Sequence, residues 1–397
     1  MPARNKGLFC LILVSISCGW LLQPNSQLWA EKLFDKNARR QLAAYLLETC
    51  HWILEENTPD AESRQKKDRD GSILINAYFA RALLAGAEYS RDPGAFTETA
   101  LRWCDAFARK QVQMPTAKGN AGGFWIDPAS GGDFDLSVQA GAALALARSA
   151  SVAEGTRAKA YLQALENYAR LIQEGTQENP LKKNGPGVQG WVVQTGEEQG
   201  AIGYGYLGGQ PALKASTPST AMHVSLFARL FTLTRNPQYK NLAMSGFNWL
   251  LKSRRPNGET IFWQEGEEND EKLFLSAGFH AEAIQAICFL FPEETLTRKL
   301  SQEIPRTLRW LVDSQGDQGL WGEGEDRLGS PGIASLFYWD FQFGSKSRQA
   351  PAVLNRYWLT ISNPVHRQSY GIMTHGLPTG LVALNLAETL KPGSTYR

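Results

Sequence analysis

Cysteine is scarce in this chain, which has five among its 397 residues. Two of the five lie in the first thirty residues, which leaves Cys50, Cys104 and Cys288 in segments with a helical pattern. Three thiols cannot all pair within one chain, and no Cys or His spacing matches a zinc site. We interpret them as small buried hydrophobic groups, and we predict neither a disulfide framework nor a metal site.

A strong charge of either sign is also missing. The 41 Lys and Arg residues nearly balance the 39 Asp and Glu residues, so the net charge is +2. One short basic block, Arg64–Arg69, is too little to predict nucleic acid as a partner. The sequence shows no phosphate-binding glycine loop and no Ser/His/Asp arrangement, and we predict no cofactor.

The apolar run near the start of the chain is short. Leu8–Leu22 falls below the roughly 20 residues of a comfortable membrane span. It follows the basic residues Arg4 and Lys6, and a fair cleavage site with small residues ends at Ala30. We predict that residues 1–30 are a signal peptide and that the protein is periplasmic or secreted. The alternative is an uncleaved segment that tethers the protein to the membrane.

The sequence does contain a repeated pair of helical segments. The first member of each pair ends on an aromatic residue and carries charge on one face. The six aromatic residues are Trp52, Trp103, Tyr168, Trp249, Trp310 and Trp358. A loop, mostly rich in glycine and carrying another aromatic residue, leads to the second member, which is apolar on nearly every side. These second segments are Ile73–Tyr89, Leu136–Ala150, Thr220–Thr234, Phe279–Phe291, Ile333–Phe343 and Leu381–Leu390.

A helix that is apolar on every side must be surrounded by protein, whereas a helix with one charged face belongs to an outer layer. Strict alternation of the two kinds predicts an all-α (α/α)6 toroid of six outer and six inner helices. We expect one toroid domain over residues 31–397. The last inner helix should close the ring by packing beside the first outer helix, at about residues 35–56.

The segment Trp310–Trp321 (WLVDSQGDQGLW) resembles the Gln-Trp repeat of triterpene cyclases, and the whole alternation resembles the toroids of six-hairpin glycosidases. The segment GDFDLS also resembles the Asp-x-Asp-Asp motif of class II terpene cyclases, with Asp135 in the position of their acid. Leu136 replaces the last Asp of that motif, which argues against a cyclase. Such toroids host many chemistries, so the resemblance implies the fold and leaves the function open.

Acidic and aromatic residues are concentrated in the loops that lead from outer to inner helices, which all lie at one end of a toroid. A glycoside hydrolase needs two carboxyl groups, roughly 6.5–9.5 Å apart in an inverting enzyme. We predict that Asp133 or Asp135 is paired with Glu265 or Glu323, within one cleft that binds a saccharide. The aromatic residues expected to bind the sugar are Trp125, Trp191, Tyr204, Trp263 and Trp321. Asp135 also suits the structural role of a helix cap.

Two histidines suggest a different chemistry at the same end. His280 and His375 are expected at the starts of inner helices, where a helix N-terminus disfavours the charged imidazole. With Tyr370 as the matching acid, a neutral histidine could carry out a uronate lyase or epimerase reaction. In a hydrolase, these residues would only bind sugar hydroxyls. A toroid that binds carbohydrate or protein without catalysis is a further alternative, and we expect His223 to be a core residue.

Overall fold

The computed structural model describes residues 33–56, 69–124, 134–179, 185–262, 272–291 and 294–396. Some predictions fall outside these ranges. They concern the signal peptide at residues 1–30 and four candidate site residues, which are Trp125, Asp133, Trp263 and Glu265.

Helices form most of the described structure. In chain order they are α1 (Lys36–Glu56), α2 (Arg69–Gly86), α3 (Pro93–Arg109), α4 (Leu136–Ala150), α5 (Gly155–Glu174), α6 (Thr217–Thr234), α7 (Pro237–Lys252), α8 (Leu273–Leu290), α9 (Glu294–Asp313), α10 (Ser330–Phe343), α11 (Ala350–Ser362), α12 (Pro364–Tyr370) and α13 (Gly376–Leu390). Short 3-10 helices at Ala87–Tyr89 and Gly324–Gly329 complete the set.

The inner helices form a closed ring. The order around it is α2, α4, α6, α8, α10 and α13, each in contact with the next. The ring closes because α13 packs against both α2 and α1, which confirms the predicted closure. The fold is therefore an (α/α)6 toroid, with α1, α3, α5, α7, α9 and α11 as its outer layer.

Small residues allow the inner helices to approach closely. A Cβ atom added to Gly278 of α8 would lie 2.6 Å from the Cα atom of Gly329, at the start of α10. One added to Gly141 of α4 would lie 2.7 Å from a methyl carbon of Leu74 on α2. Among the described residues, α8 is the helix long and apolar enough to cross a membrane by length and composition. Its place in the inner ring accounts for that composition.

The Gln-Trp segment ties one outer helix to its neighbours. Gln315, beyond the end of α9, donates hydrogen bonds from Nε2 to the carbonyl oxygens of Gly319, at 2.8 Å, and Val353, at 3.0 Å. Trp321 then turns inward, where its ring stacks on Phe337 of α10 with the centroids 5.9 Å apart. The motif therefore has a structural role in this protein.

Short strands, which the sequence pattern did not predict, occupy two of the outer-to-inner loops. They are β1 (Gln111–Thr116), β2 (Gly119–Phe124), β3 (Phe134–Asp135), β4 (Thr176–Glu178), β5 (Pro186–Val188), β6 (Gly203–Leu207) and β7 (Gln210–Ala215). They form antiparallel sheets in the orders β1-β2, β3-β6-β7 and β4-β5. Since all of them precede α4 or α6, they add structure to the face where the inner helices begin.

Several inner helices begin earlier than predicted. The clearest case is α8, which was expected from Phe279 but starts at Leu273. The intervening Ser276 and Gly278 are typical of loops, but here both are buried, and Gly278 lies against Gly329. His280 consequently lies two turns inside the helix and not at its first residue.

Candidate active site

Asp135 occupies the start of the inner helix α4. Its carboxylate accepts a hydrogen bond from the backbone N–H of Ser137 at 2.7 Å, so it caps the helix. The side chain of Tyr204 also hydrogen-bonds to this carboxylate. Burial nevertheless raises the pKa of Asp135 above its ordinary value of 3.8, and the hydrogen bonds oppose that shift only in part. A carboxyl group with a raised pKa is suited to donating a proton.

The β3-β6 pairing brings Tyr204 to this position. Asp135 is paired with Gly205, and the neighbouring Phe134 is paired with Tyr206. Gly205 has a φ of +133°, and a Cβ atom there would lie 1.8 Å from the carbonyl oxygen of Phe134. Because only glycine fits so close a crossing, the Tyr-Gly-Tyr sequence fixes a tyrosine beside the acid. Tyr204 therefore lies beside Asp135, and its contact with a sugar stays a prediction.

A buried pair lies behind Asp135. The hydroxyl of Tyr168 on α5 lies 2.9 Å from Nε2 of His223 on α6, and Nδ1 of His223 lies 2.7 Å from the carbonyl oxygen of Ser219. A carbonyl can only accept, so Nδ1 carries the hydrogen, and Nε2 accepts the proton of the tyrosine hydroxyl. His223 is fully buried, which confirms its prediction as a core residue. Burial raises the pKa of Tyr168, and the charge of Asp135 adds to that effect.

Glu323 lies on the opposite side of the ring from Asp135. It is exposed and directly precedes the 3-10 helix that leads into α10. Since α4 and α10 are three places apart in a ring of six, Asp135 and Glu323 lie near the starts of opposite inner helices. The nearby Asp326 has a structural role, because its carboxylate accepts a hydrogen bond from the backbone N–H of Leu275 at 2.5 Å.

Three predicted sugar-binding side chains are buried, which corrects their assignment. Trp321 is completely buried, and its indole Nε1 donates to the carbonyl oxygen of Leu311 at 2.6 Å. Trp191 is 1% exposed and packs edge-on against Tyr206. Tyr370 is 7% exposed, and its hydroxyl donates to the carbonyl oxygen of Arg327. Neither indole offers an open face to a sugar, and the hydroxyl of Tyr370 already donates its hydrogen to Arg327.

The two histidines differ in accessibility. His280 is 1% exposed, so its predicted contact with substrate is wrong. Its pKa is lowered to about 3, first by burial and then by the positive charge of Arg254. The imidazole is therefore neutral as predicted, although the cause is burial and not the helix N-terminus. His375 is exposed at the N-cap position of α13, where it is accessible to a ligand at the mouth.

The described part of the chain holds no group of three or more His, Cys, Asp or Glu side chains arranged to bind a metal ion. Of the three cysteines, Cys50 and Cys104 are buried and Cys288 is partly buried, and all are free thiols. The candidate site at the mouth therefore consists of Asp135 with Tyr204, and of Glu323 and His375 on other parts of the rim.

No protein-family model and no curated protein matches the chain. Solved structures do resemble it over most of its length. An α-mannanase of glycoside hydrolase family 76 from Bacteroides thetaiotaomicron has a TM-score of 0.56 and 12% identity, covering 90% of this chain and 98% of that one. A polysaccharide lyase has a TM-score of 0.55 and 12% identity, covering 88% of this chain and 97% of that one.

An α-1,6-mannanase from Salegentibacter sp. is similar in the same way. It was solved as an inactive variant in complex with α-1,6-mannotriose, with two consecutive aspartates replaced by asparagine. Its TM-score is 0.53 at 12% identity, and the match covers 91% of this chain and 98% of that one. Identities this low show the shared fold alone, and they agree with the closed ring of helix pairs described above.

Proposed function

We propose that this protein is a glycoside hydrolase that acts on a saccharide of the cell envelope or its surroundings, with Asp135 as the catalytic acid. The observation that carries the proposal is the environment of Asp135, whose raised pKa keeps a proton on the carboxyl group to a higher pH than usual. Tyr204 orients the group at the mouth of a toroid. A glycosidase needs such an acid to protonate the leaving oxygen.

The second carboxylate of the proposal is Glu323, with Glu265 as the sequence-based alternative. Glu323 is exposed before the inner helix opposite that of Asp135, and in the proposal it activates a water molecule on the far side of a bound sugar. Asp133 is the alternative acid, two residues before Asp135.

A lyase or epimerase is the second candidate because His375 is exposed at the same face. This chemistry would also need an acid, and the predicted partner Tyr370 donates its hydroxyl proton to the carbonyl oxygen of Arg327. The buried His280 cannot replace His375. These contacts favour the hydrolase over the lyase.

The experiment is a polysaccharide panel that includes α-1,6-mannan, with reducing ends and ultraviolet absorbance measured in parallel. We expect reducing ends without the absorbance of a lyase product. Asp135→Asn should lower the rate by about 10²–10⁴-fold, the usual contribution of a general acid. Glu323→Gln should also be impaired, whereas Glu325→Gln, at an exposed carboxylate two residues away, is the matched control and should retain activity. An active Asp135→Asn would refute the role of this residue.

We further propose that residues 1–30 direct export and are removed. Basic Arg4 and Lys6, the apolar Leu8–Leu22 and the small residue Ala30 support this assignment. The N-terminal sequence of the protein recovered from its host would test it. A chain starting close to residue 31 is expected, whereas an intact start in the membrane fraction would indicate a tether.

A further inference from the structure

A deep cavity lies inside the ring, off its axis. It is lined by α2, α8, α10 and α13, with the 3-10 segment before α10 at its edge. Neither α4, which follows Asp135, nor α6 contributes to the lining, so the cavity is separate from the proposed acid.

Apolar side chains line the half of the cavity nearest the mouth. They come from the first two turns of α2, α8 and α13 and from the 3-10 segment, and they are Leu74, Leu275, Phe279, Leu328, Leu377 and Leu381. Each is only partly buried, so its apolar surface is available inside the cavity. A sugar would find few hydrogen-bonding partners at this level, whereas an alkyl or terpenoid body would bury apolar surface here.

The deeper half is polar and centred on an ion pair. Arg81 of α2 donates to Glu282 of α8 at 2.5 Å, with the two side chains 3% and 14% exposed. Since α2 and α8 are opposite helices of the ring, this bond crosses the ring interior. Nε and Nη1 of Arg81 and the hydroxyl of the buried Tyr78 have no hydrogen-bonding partner, although all three atoms are buried. Both side chains line the cavity.

The far end is closed by the C-terminal tail. Glu388 accepts hydrogen bonds from the backbone N–H groups of Gly393 and Thr395, each at 2.7 Å, and so holds the tail against α13. The ring of Tyr396 lines the cavity, and its hydroxyl donates to the carbonyl oxygen of Glu282. From Leu377 to Glu388 the cavity follows α13 for about 16 Å, taking 1.5 Å per residue.

The charges at the closed end select an uncharged head group. Arg81 is the one basic residue among the described residues that line the cavity, and Glu282 already neutralises it. The oxygens of Glu388 accept hydrogen bonds from the tail, so an anionic head group would find no unpaired cation among the described lining residues. The unpartnered groups of Arg81 and Tyr78 can donate hydrogen bonds, and a hydroxyl or carbonyl oxygen would accept them.

We propose that this cavity binds an uncharged amphiphile, with an apolar chain between the leucines of the mouth half and one hydroxyl or carbonyl oxygen at Tyr78 and Arg81. This site is additional to the proposed saccharide cleft and does not depend on it. The length and polarity of the cavity match a chain of medium length with a single polar end. Unpartnered buried donors are costly to leave unsatisfied, and such an oxygen would satisfy them.

The test is calorimetric titration of the full chain with 1-octanol, with octanoate and mannose as alternative ligands. Octanol should bind at least about tenfold more tightly than octanoate, because the carboxylate would lie near Glu282 and Glu388. Mannose should neither bind in the cavity nor compete with octanol. Tighter binding of octanoate, or competition by mannose, would overturn the inference.

Two variants locate the binding site. Leu381→Trp fills the mouth half and should weaken octanol binding by about tenfold or more, whereas Leu359→Trp, at an exposed leucine of α11, should bind like the wild type. Tyr78→Phe removes one donor with little change of shape and should weaken binding by about three- to tenfold. If Leu381→Trp does not fold, octanol binding to Tyr78→Phe still tests the location of the site. Unchanged octanol affinity in a folded Leu381→Trp or in Tyr78→Phe would refute the site.

Discussion

Acidification should destabilise this protein through His223, the imidazole that Tyr168 and Ser219 hold in its neutral form. Burial lowers its pKa to about 4 from an ordinary 6.5. Between these values the unfolded chain binds a proton that the folded chain does not, so stability is lost as the pH falls from about 6.5 towards 4. Each pH unit corresponds to about 1.4 kcal/mol, which gives a loss of about 2 kcal/mol at pH 5 from this residue.

The assay is urea unfolding at pH 7 and pH 5, followed by tryptophan fluorescence. His223→Gln cannot titrate, so its free energy of unfolding should fall by about 2 kcal/mol less than that of the wild type between the two pH values. Tyr168→Phe is the matched control, because it keeps the buried imidazole and removes one hydrogen bond. It should be less stable at both pH values and retain the wild-type pH dependence.

Comparison of each variant with the wild type at both pH values removes the contribution of other groups. The carboxyl groups of Asp135 and Glu388, whose pKa values are raised by burial, titrate in the opposite sense and are present in every variant. If His223→Gln loses as much stability as the wild type between pH 7 and pH 5, the histidine is not the cause.

Three further predictions concern stability. Glu282→Gln should lower the free energy of unfolding by about 3–5 kcal/mol, because it leaves the buried charge of Arg81 unpaired. Thermal unfolding measures this loss, and the double variant Glu282→Gln, Arg81→Met should recover most of it. Gln315→Leu removes the donor of two buried hydrogen bonds, so the free energy of unfolding in urea should fall by about 1–3 kcal/mol. A loss below the error of the measurement would refute the structural role of Gln315. Gly278→Ala should lower the free energy of unfolding by about 1–3 kcal/mol, because the new methyl group would clash with the backbone of Gly329. A variant as stable as the wild type would show that α8 and α10 can move apart to make room for it.

The ring architecture could be predicted from the sequence because its determinants are local. Helices such as α4 are apolar on every side, and that composition requires a surrounding layer whatever the details of packing. Helix starts were less predictable, since residues such as Ser276 and Gly278 favour loops in isolation. In the folded protein both are buried within α8, and Gly278 lies against the backbone of Gly329, where a larger residue would clash.

The candidate site could be predicted only in part from the sequence. The cap at Asp135 is a local feature, and its type and position could be recognised in the sequence. Its pairing with Tyr204 depends on a sheet that joins residues about seventy positions apart. The burial of Trp321 depends on Phe337 in another helix, and nothing near the indole in the sequence distinguishes a buried ring from an exposed one. The cavity beside Arg81 likewise arises from helices that are distant along the chain.

The contact of α13 with α1 and α2 means that this architecture has no terminal repeat. An open array of helix pairs can gain or lose a unit at its ends, where capping repeats present a polar surface. Here the loss of any one pair would expose the apolar sides of both neighbours at once. Variation among proteins of this shape should therefore be concentrated in the loops at the rim, while the number of helix pairs stays fixed.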